Sequence, residues 1–307
     1  MNRKEFLKIT GSAVAWSVAS SFVPHFSPVQ PGSIHTKTIP SSGEQIPAIG
    51  MGTWITFNVG NSTSLRDHRT KILTTFFEMG GGMIDSSPMY GSSEAVVGYG
   101  LEKLGYPEGL FSGTKVWTGD TSEGPEQIQN SMDLWGLSAF DLLQVHNLVN
   151  WQDHLKTLRS YKDQGLIKYI GVTTSHGRRH GELERIMKSE PLDFVQLTYN
   201  IEDRAAEERL LPLAQDKGIA VIANRPFQRK ELIHKYEDHP LPEWAQELDI
   251  NNWAQFFLKF IISHPALTVA IPATTQIPHM KENMGALTGK LPDQNQRQEM
   301  VRYIESL

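Results

Sequence analysis

Eight times along this chain a short run of β-branched and apolar residues gives way to a longer amphipathic segment, and that alternation restricts the fold more than any other feature. Strands are expected near 49–52 and at 83–85, 110–115, 142–146, 169–173, 194–199, 220–224 and 268–272. Helices are expected at 66–79, 93–104, 125–135, 152–164, 181–188, 205–217 and 251–263, with a last pair at 279–286 and 294–306. Repetition of this kind lays the strands parallel in one sheet, with the helices packed over it. With no composition shift between the repeats, the pattern predicts one α/β unit over residues 36–307, a (β/α)8 TIM barrel. Thr36–Ile39 and Gln45–Ile49 flank Ser41-Ser42-Gly43-Glu44 and predict a hairpin that caps the barrel bottom. Gln294–Ser306 predicts a C-terminal helix, and Pro212 predicts a kink or break within 205–217.

The totals exclude several classes of function. Lys and Arg number 29 against 34 Asp and Glu, a net charge of −5, so no nucleic-acid partner is expected. With no cysteine there is no disulfide framework, thiolate nucleophile or Cys-ligated zinc. His176 with His180, and His234 with His239, are loosely spaced and lack an acid signature, so no metal site is expected.

Residues 1–28 read as an export signal rather than part of the fold. Arg3, Lys4 and Lys8 precede a mildly apolar run from Ile9 to Val23, and Ser17-Val18-Ala19 offers small residues for cleavage. The run is too short and interrupted for a stable membrane span of ~20 apolar residues. Asn2-Arg3-Lys4-Glu5-Phe6-Leu7-Lys8 resembles a twin-arginine signal, with Lys4 where the second Arg is expected. That resemblance implies the export machinery as a partner and a periplasmic location. The alternative is an uncleaved amphipathic helix, which leaves the protein in the cytoplasm. Residues 29–35 are a linker to the barrel, continuing a Pro-, Ser- and Gly-rich stretch.

Four ionisable side chains fall at or just past the ends of successive expected strands: Asp85, with Tyr90 five residues on, Lys115, and His146. Each alone has an ordinary structural explanation, but in a barrel those ends converge on one mouth. The set suits proton transfer. A phenol titrates near 10, and a neighbouring ammonium lowers that value, so Lys115 is expected to acidify Tyr90 while Asp85 holds Lys115. His146 is then free to orient a carbonyl oxygen, and Tyr90 to protonate it.

These residues sit in motifs that resemble the aldo/keto reductase family. The likeness runs from about Thr36 to Leu287, through Gly52-Thr53-Trp54, Ile84-Asp85 with Tyr90-Gly91-Ser92-Ser93-Glu94, and Thr114-Lys115-Val116-Trp117. It continues through Asp141-Leu142-Leu143-Gln144-Val145-His146, Ile170-Gly171-Val172, Gln196 with Tyr199-Asn200, and Ile271-Pro272 ahead of Glu282-Asn283. The resemblance implies an NADP-dependent oxidoreductase with Asp85, Tyr90, Lys115 and His146 as its catalytic tetrad. It implies a cofactor lying across the mouth against Gly52 and Thr53, with Thr173, Thr174 and Gln196 about the nicotinamide carboxamide. Asn224, Arg225 and Phe227 follow the seventh strand, Asn224 standing where many members stack a Tyr. Thr274, His279, Glu282 and Asn283 fall at the adenosine end, with Ala273 and His279 replacing the usual cations. A modest preference for NADP over NAD is therefore expected, NAD being the alternative cofactor. Trp54 and Trp117 are expected to wall the substrate pocket.

The expected activity is reduction of a small-molecule aldehyde or ketone. A second reading, a cofactor-binding sensor or subunit with little turnover, draws on the scarcity of free nicotinamide cofactor outside the cytoplasm. The intact tetrad opposes it.

Overall fold

The computed structural model describes residues 34–307, so the expected export signal and nearly all of the linker lie outside the described residues. A two-stranded antiparallel hairpin, β1 (Thr36–Thr38) and β2 (Gln45–Pro47), comes first. Eight parallel strands follow, as the alternation predicts: β3 (Met51–Gly52), β4 (Met83–Asp85), β5 (Phe111–Val116), β6 (Phe140–Val145), β7 (Ile167–Thr173), β8 (Phe194–Thr198), β9 (Ala220–Asn224) and β10 (Val269–Ala270). Each pairs in order with the next. The ring closes where Gly50 N–H donates to Ala270 O at 2.8 Å, Ala270 N–H to Ala48 O at 3.0 Å and Gly52 N–H to Pro272 O at 2.9 Å. Closure leaves no sheet edge exposed.

The helices on the outside are α1 (Thr63–Glu78), α2 (Ser93–Leu104), α3 (Gly124–Trp135), α4 (Trp151–Asp163), α5 (His180–Ser189), α6 (Leu210–Lys217), α7 (Glu231–Tyr236), α8 (Trp253–Ile262), α9 (Ile277–Gly285) and α10 (Gln294–Ser306). Among the described residues, none is long and apolar enough to cross a membrane. Gly80 ends the first helix with a φ of +86°, a conformation a side chain would strain. The break expected at Pro212 occurs upstream: 205–207 is a 3-10 turn, and α6 begins at Leu210 with the proline in its first turn, where the missing N–H costs nothing. The segment 228–244 between β9 and α8 is partly helical, because Tyr236 of α7 is buried against Trp253 and Phe257 of α8.

Two cores hold the barrel. One lies between sheet and helices. The other fills the barrel's lower interior with Met83, Phe111, Leu142, Tyr169, Phe194 and Val269, closed from below by Ile39 and Ile46 of the hairpin segment. The Tyr169 hydroxyl donates to Glu44 (2.5 Å) and accepts from Ser42 (2.6 Å), fastening the hairpin over that end. The opposite end, where strands give way to the longer loops, stays open.

Candidate active site

The strand ends at the open face deliver the expected cluster. Asp85 terminates β4, and Ser87 then caps a single 3-10 turn, Pro88–Tyr90, by accepting from Met89 N–H at 3.2 Å. Proline at the start of that turn has no N–H to leave unpaired. Ser93 donates to Tyr90 O at 2.9 Å and so ties the turn to the start of α2.

Behind the phenol, Lys115 is fully buried. Its ammonium donates to Asp85 Oδ1 at 2.8 Å, to Asp85 Oδ2 at 2.7 Å and to Ser86 O at 2.7 Å, which uses all three protons. Asp85 Oδ1 also accepts from Gln196 Nε2 at 2.9 Å and Gln144 Nε2 at 3.4 Å. The pair is buried, mutually neutralised and further hydrogen-bonded, the conditions under which burying charge is tolerable.

Above this pair, the Tyr90 and His146 rings meet edge to face with centroids 5.6 Å apart, and Lys115 Nζ lies 5.3 Å from the centre of the Tyr90 ring. The ammonium was expected to acidify the phenol; the structure gives the opposite direction. Burial, then the negative charges of Asp85 and Glu94, push Tyr90 well above its ordinary value of 10. Lys115 spends its hydrogen bonds on Asp85 and Ser86, so it does not outweigh them. Tyr90 is consequently a protonated donor at neutral pH. Glu94 is buried beneath the site, held by Thr114 (2.6 Å), Ser131 (3.0 Å) and Trp135 (3.2 Å), and burial raises its own value.

His146 follows β6, and burial, reinforced by the Lys115 charge, lowers it to about 2, so the ring is neutral. Its Nδ1 lies 2.9 Å from Ser87 Oγ. Ser87 Oγ also accepts from Met89 N–H, so when its one proton goes to Nδ1 the hydroxyl both donates and accepts. In that arrangement the ring proton sits on Nε2, where it can be donated to a ligand oxygen. Nothing in the sequence signalled Ser87 for this task; only the fold brings it to the histidine.

Asp85, Tyr90 and His146 open onto a cavity of about 590 Å³, with Lys115 behind the wall. Gly52, Thr53, Thr173, Thr174, Gln196, Asn224, Arg225 and Phe227 line the same cavity. Gln196 has its amide N–H₂ committed to Asp85, and Asn224 bridges neighbouring strand ends, donating to Thr174 O and accepting from Thr198, both at 2.8 Å. Thr174 Oγ1 is buried without a partner. The substrate wall expected from two tryptophans has one: Trp54 lines the cavity, joined by Ile55 and Met89, whereas Trp117 lies outside it. Gln127 brackets the Trp117 backbone, accepting from its N–H at 2.6 Å and donating to its carbonyl at 2.8 Å, and the indole is 41% exposed. Thr274 precedes α9, His279 is in its first turn and Glu282 and Asn283 are in its last, all outside the cavity lining; the Thr274 hydroxyl accepts from Gln276 N–H at 3.0 Å. Sequence reasoning passed over Arg178, Arg179, Arg229 and Lys230, which do line the cavity, as does His176, weighed there only as a metal ligand.

Comparison with known proteins gives consistent relatives. The sequence profile of the Aldo/keto reductase family matches residues 48–300. The chain is 26% identical over 262 residues to methylglyoxal reductase YeaE of Escherichia coli, covering 83% of this chain and 90% of that one. A thermostable aldo-keto reductase solved with the inhibitor epalrestat superposes with a TM-score of 0.73 at 28% identity, covering 88% of this chain and 99% of that one. An aldo/keto reductase from Klebsiella pneumoniae, solved with NADP and acetate, shares the fold with a TM-score of 0.72 at 24% identity, covering 85% and 92%.

Proposed function

The chain belongs to the aldo/keto reductase family, and from that premise we propose that it reduces the carbonyl of a small aldehyde or ketone with NADPH, Tyr90 giving the proton. The observation that carries this reading is the meeting of a protonated phenol and a neutral imidazole at one cavity wall, over a buried Asp85–Lys115 pair. Both groups donate hydrogen bonds, and both are aimed at what a carbonyl oxygen requires as it gains negative charge.

The nicotinamide cofactor fits the residues present. Thr174 offers a buried hydroxyl with no protein partner beside the cavity, which a ligand amide would satisfy, and Thr173 and Gln196 adjoin it. When bound, the reduced nicotinamide supplies the hydride that goes to the carbonyl carbon. Tyr90 then releases its proton to the oxygen, and the ammonium 5.3 Å from its ring stabilises the phenolate left behind. His146 holds the same oxygen through Nε2–H. Asp85 keeps Lys115 charged despite its burial, and Trp54, Ile55 and Met89 give the substrate an apolar wall that excludes water.

A panel of aldehydes, ketones and dicarbonyls, methylglyoxal included because a relative carries that name, followed by loss of NADPH absorbance, tests the reading. Turnover of at least one carbonyl is expected. Tight nucleotide binding with no oxidation by any of them would favour the sensor alternative. Export belongs to the same proposal, supported by the basic start and apolar run of residues 1–28; mass analysis of the mature N-terminus should find them removed.

A further inference from the structure

The chain leaves His146 through a turn that strains its own backbone. Asn147, Leu148 and Asn150 all take positive φ, of 52°, 54° and 43°. Asparagine visits this left-handed region readily, but a leucine there sets its Cβ against the backbone. Strain of this kind persists only where the surroundings over-determine it, and it gathers at functional sites. Leu148 is buried in the core, Asn147 lines the cavity beside His146, and Val149 N–H closes the turn on His146 O at 3.2 Å.

The loop after β7 supplies what holds the turn. Thr173 accepts from Asn147 N–H through Oγ1 at 3.0 Å. Arg179, just ahead of α5, donates from Nη1 to Asn147 O at 2.5 Å and from Nη2 to Leu148 O at 3.4 Å. The same guanidinium donates to both oxygens of Glu182, from Nε at 2.7 Å and from Nη2 at 2.8 Å. Glu182 sits in the first turn of α5, outside the cavity lining, and the Arg179 hydrogen bonds hold its carboxyl below the ordinary range. A bidentate carboxylate thus fixes the plane of the guanidinium, whose donors then reach two successive carbonyls of the strained turn.

Building on the reductase reading, we infer that Arg179 is a positioning residue for the reaction: with Glu182 it buckles the 147–148 turn in its left-handed form and so fixes the direction in which His146 presents Nε2–H to the carbonyl oxygen. Its hydrogen bonds reach the backbone beyond His146 and not the imidazole, so its effect passes through the turn. Release of Asn147 and Leu148 to negative φ re-aims the chain where it leaves the histidine. The imidazole then loses its place 2.9 Å from Ser87 Oγ and its edge-to-face contact with Tyr90. A donor to a developing oxyanion works only in a narrow geometry, so a small displacement there is costly.

The test compares the full protein with Arg179→Ala, Arg179→Lys and Glu182→Ala. It combines steady-state kinetics with a carbonyl that turns over, calorimetric titration of NADPH, melting temperature, and ring-nitrogen NMR with His146 assigned by its loss in His146→Gln. Both side chains reach solvent, at 43% and 27% exposure, so the variants are expected to fold. In Arg179→Ala, kcat is expected to fall about ten- to a hundredfold. NADPH affinity stays within a few-fold of the parent, and the His146 ring-nitrogen shifts move toward a mixture of tautomers. Glu182→Ala moves kcat and the ring shifts the same way by less. Arg179→Lys recovers part of the loss, since an ammonium donates to a carbonyl but lacks the fork that Glu182 fixes. Parental kcat in both alanine variants overturns the positioning role, and a lower melting temperature beside it reveals a purely structural tie. Weaker NADPH binding in Arg179→Ala, with Glu182→Ala at parental values throughout, marks a direct ligand contact and overturns it as well. A parent that reduces no carbonyl overturns the reductase reading instead. The ring spectra then decide the buckle alone: moved His146 shifts in Arg179→Ala uphold it, and unmoved ones overturn it.

Discussion

Ser87 shows how much of this site depends on one hydroxyl. It accepts from Met89 N–H and lies 2.9 Å from His146 Nδ1, and by donating its proton there it holds the ring proton on Nε2. Ser87→Ala frees the imidazole to move its proton to Nδ1 and present a lone pair to the carbonyl. We expect kcat to fall about tenfold, the scale of losses when a partner orienting a functional histidine is removed, with KM little changed and partial recovery in Ser87→Thr. Steady-state kinetics would contradict the tautomer assignment if kcat in Ser87→Ala stayed at the parent value. The four reacting side chains were legible in the sequence because each follows a recognisable apolar run, and strand ends in a barrel share a mouth. Ser87, His176 and Arg178 were not, since loop residues carry no period. The direction of the Tyr90 shift was illegible for another reason: it depends first on burial and then on how near the Asp85 and Glu94 charges lie, and both are settled only by tertiary packing.

Helix α2 is the element that carries this packing outward. Its first turn holds Ser93 against Tyr90 O, and Glu94 under Lys115, while its middle crosses α3 very closely. Gly98-Tyr99-Gly100 lacks the strand-then-helix setting of a dinucleotide fingerprint, and the structure supplies the actual use of the first glycine. A Cβ at Gly98 would lie 1.9 Å from Leu134 O, so only glycine permits the approach. Gly98→Ala must push α2 from α3 and is expected to cost about 1–3 kcal/mol, read as a lower urea midpoint. An unchanged midpoint would mean the two helices are not held at this distance. Helix and strand positions were otherwise readable to within a few residues. The exceptions, such as the 3-10 turn ahead of α6 and the helical segment after β9, arise where side chains such as Tyr236 find partners far away in sequence.

For the whole molecule, the buried neutral histidine links the site to acid stability. His146 titrates at about 2 in the folded chain against an ordinary 6.5. Between those values the unfolded chain binds a proton that the native chain refuses, so stability falls as pH drops from 6.5, by up to about 1.4 kcal/mol per unit from this group. His264, lowered to about 4 chiefly by burial, acts in the same direction over a narrower range. His146→Gln is expected to flatten the loss of stability between pH 6.5 and 4.5 in urea titrations; parallel pH dependences for parent and variant would contradict it. Everything functional still returns to the phenol. The measurement that bears on it most directly is single-turnover oxidation of bound NADPH by a carbonyl substrate in Tyr90→Phe, paired with calorimetric titration of NADPH. The account predicts nucleotide affinity within a few-fold of the parent and a rate lower by about 10²–10⁴, the contribution of a positioned general acid. Oxidation at the parental rate with NADPH equally bound would show that the proton comes from another group.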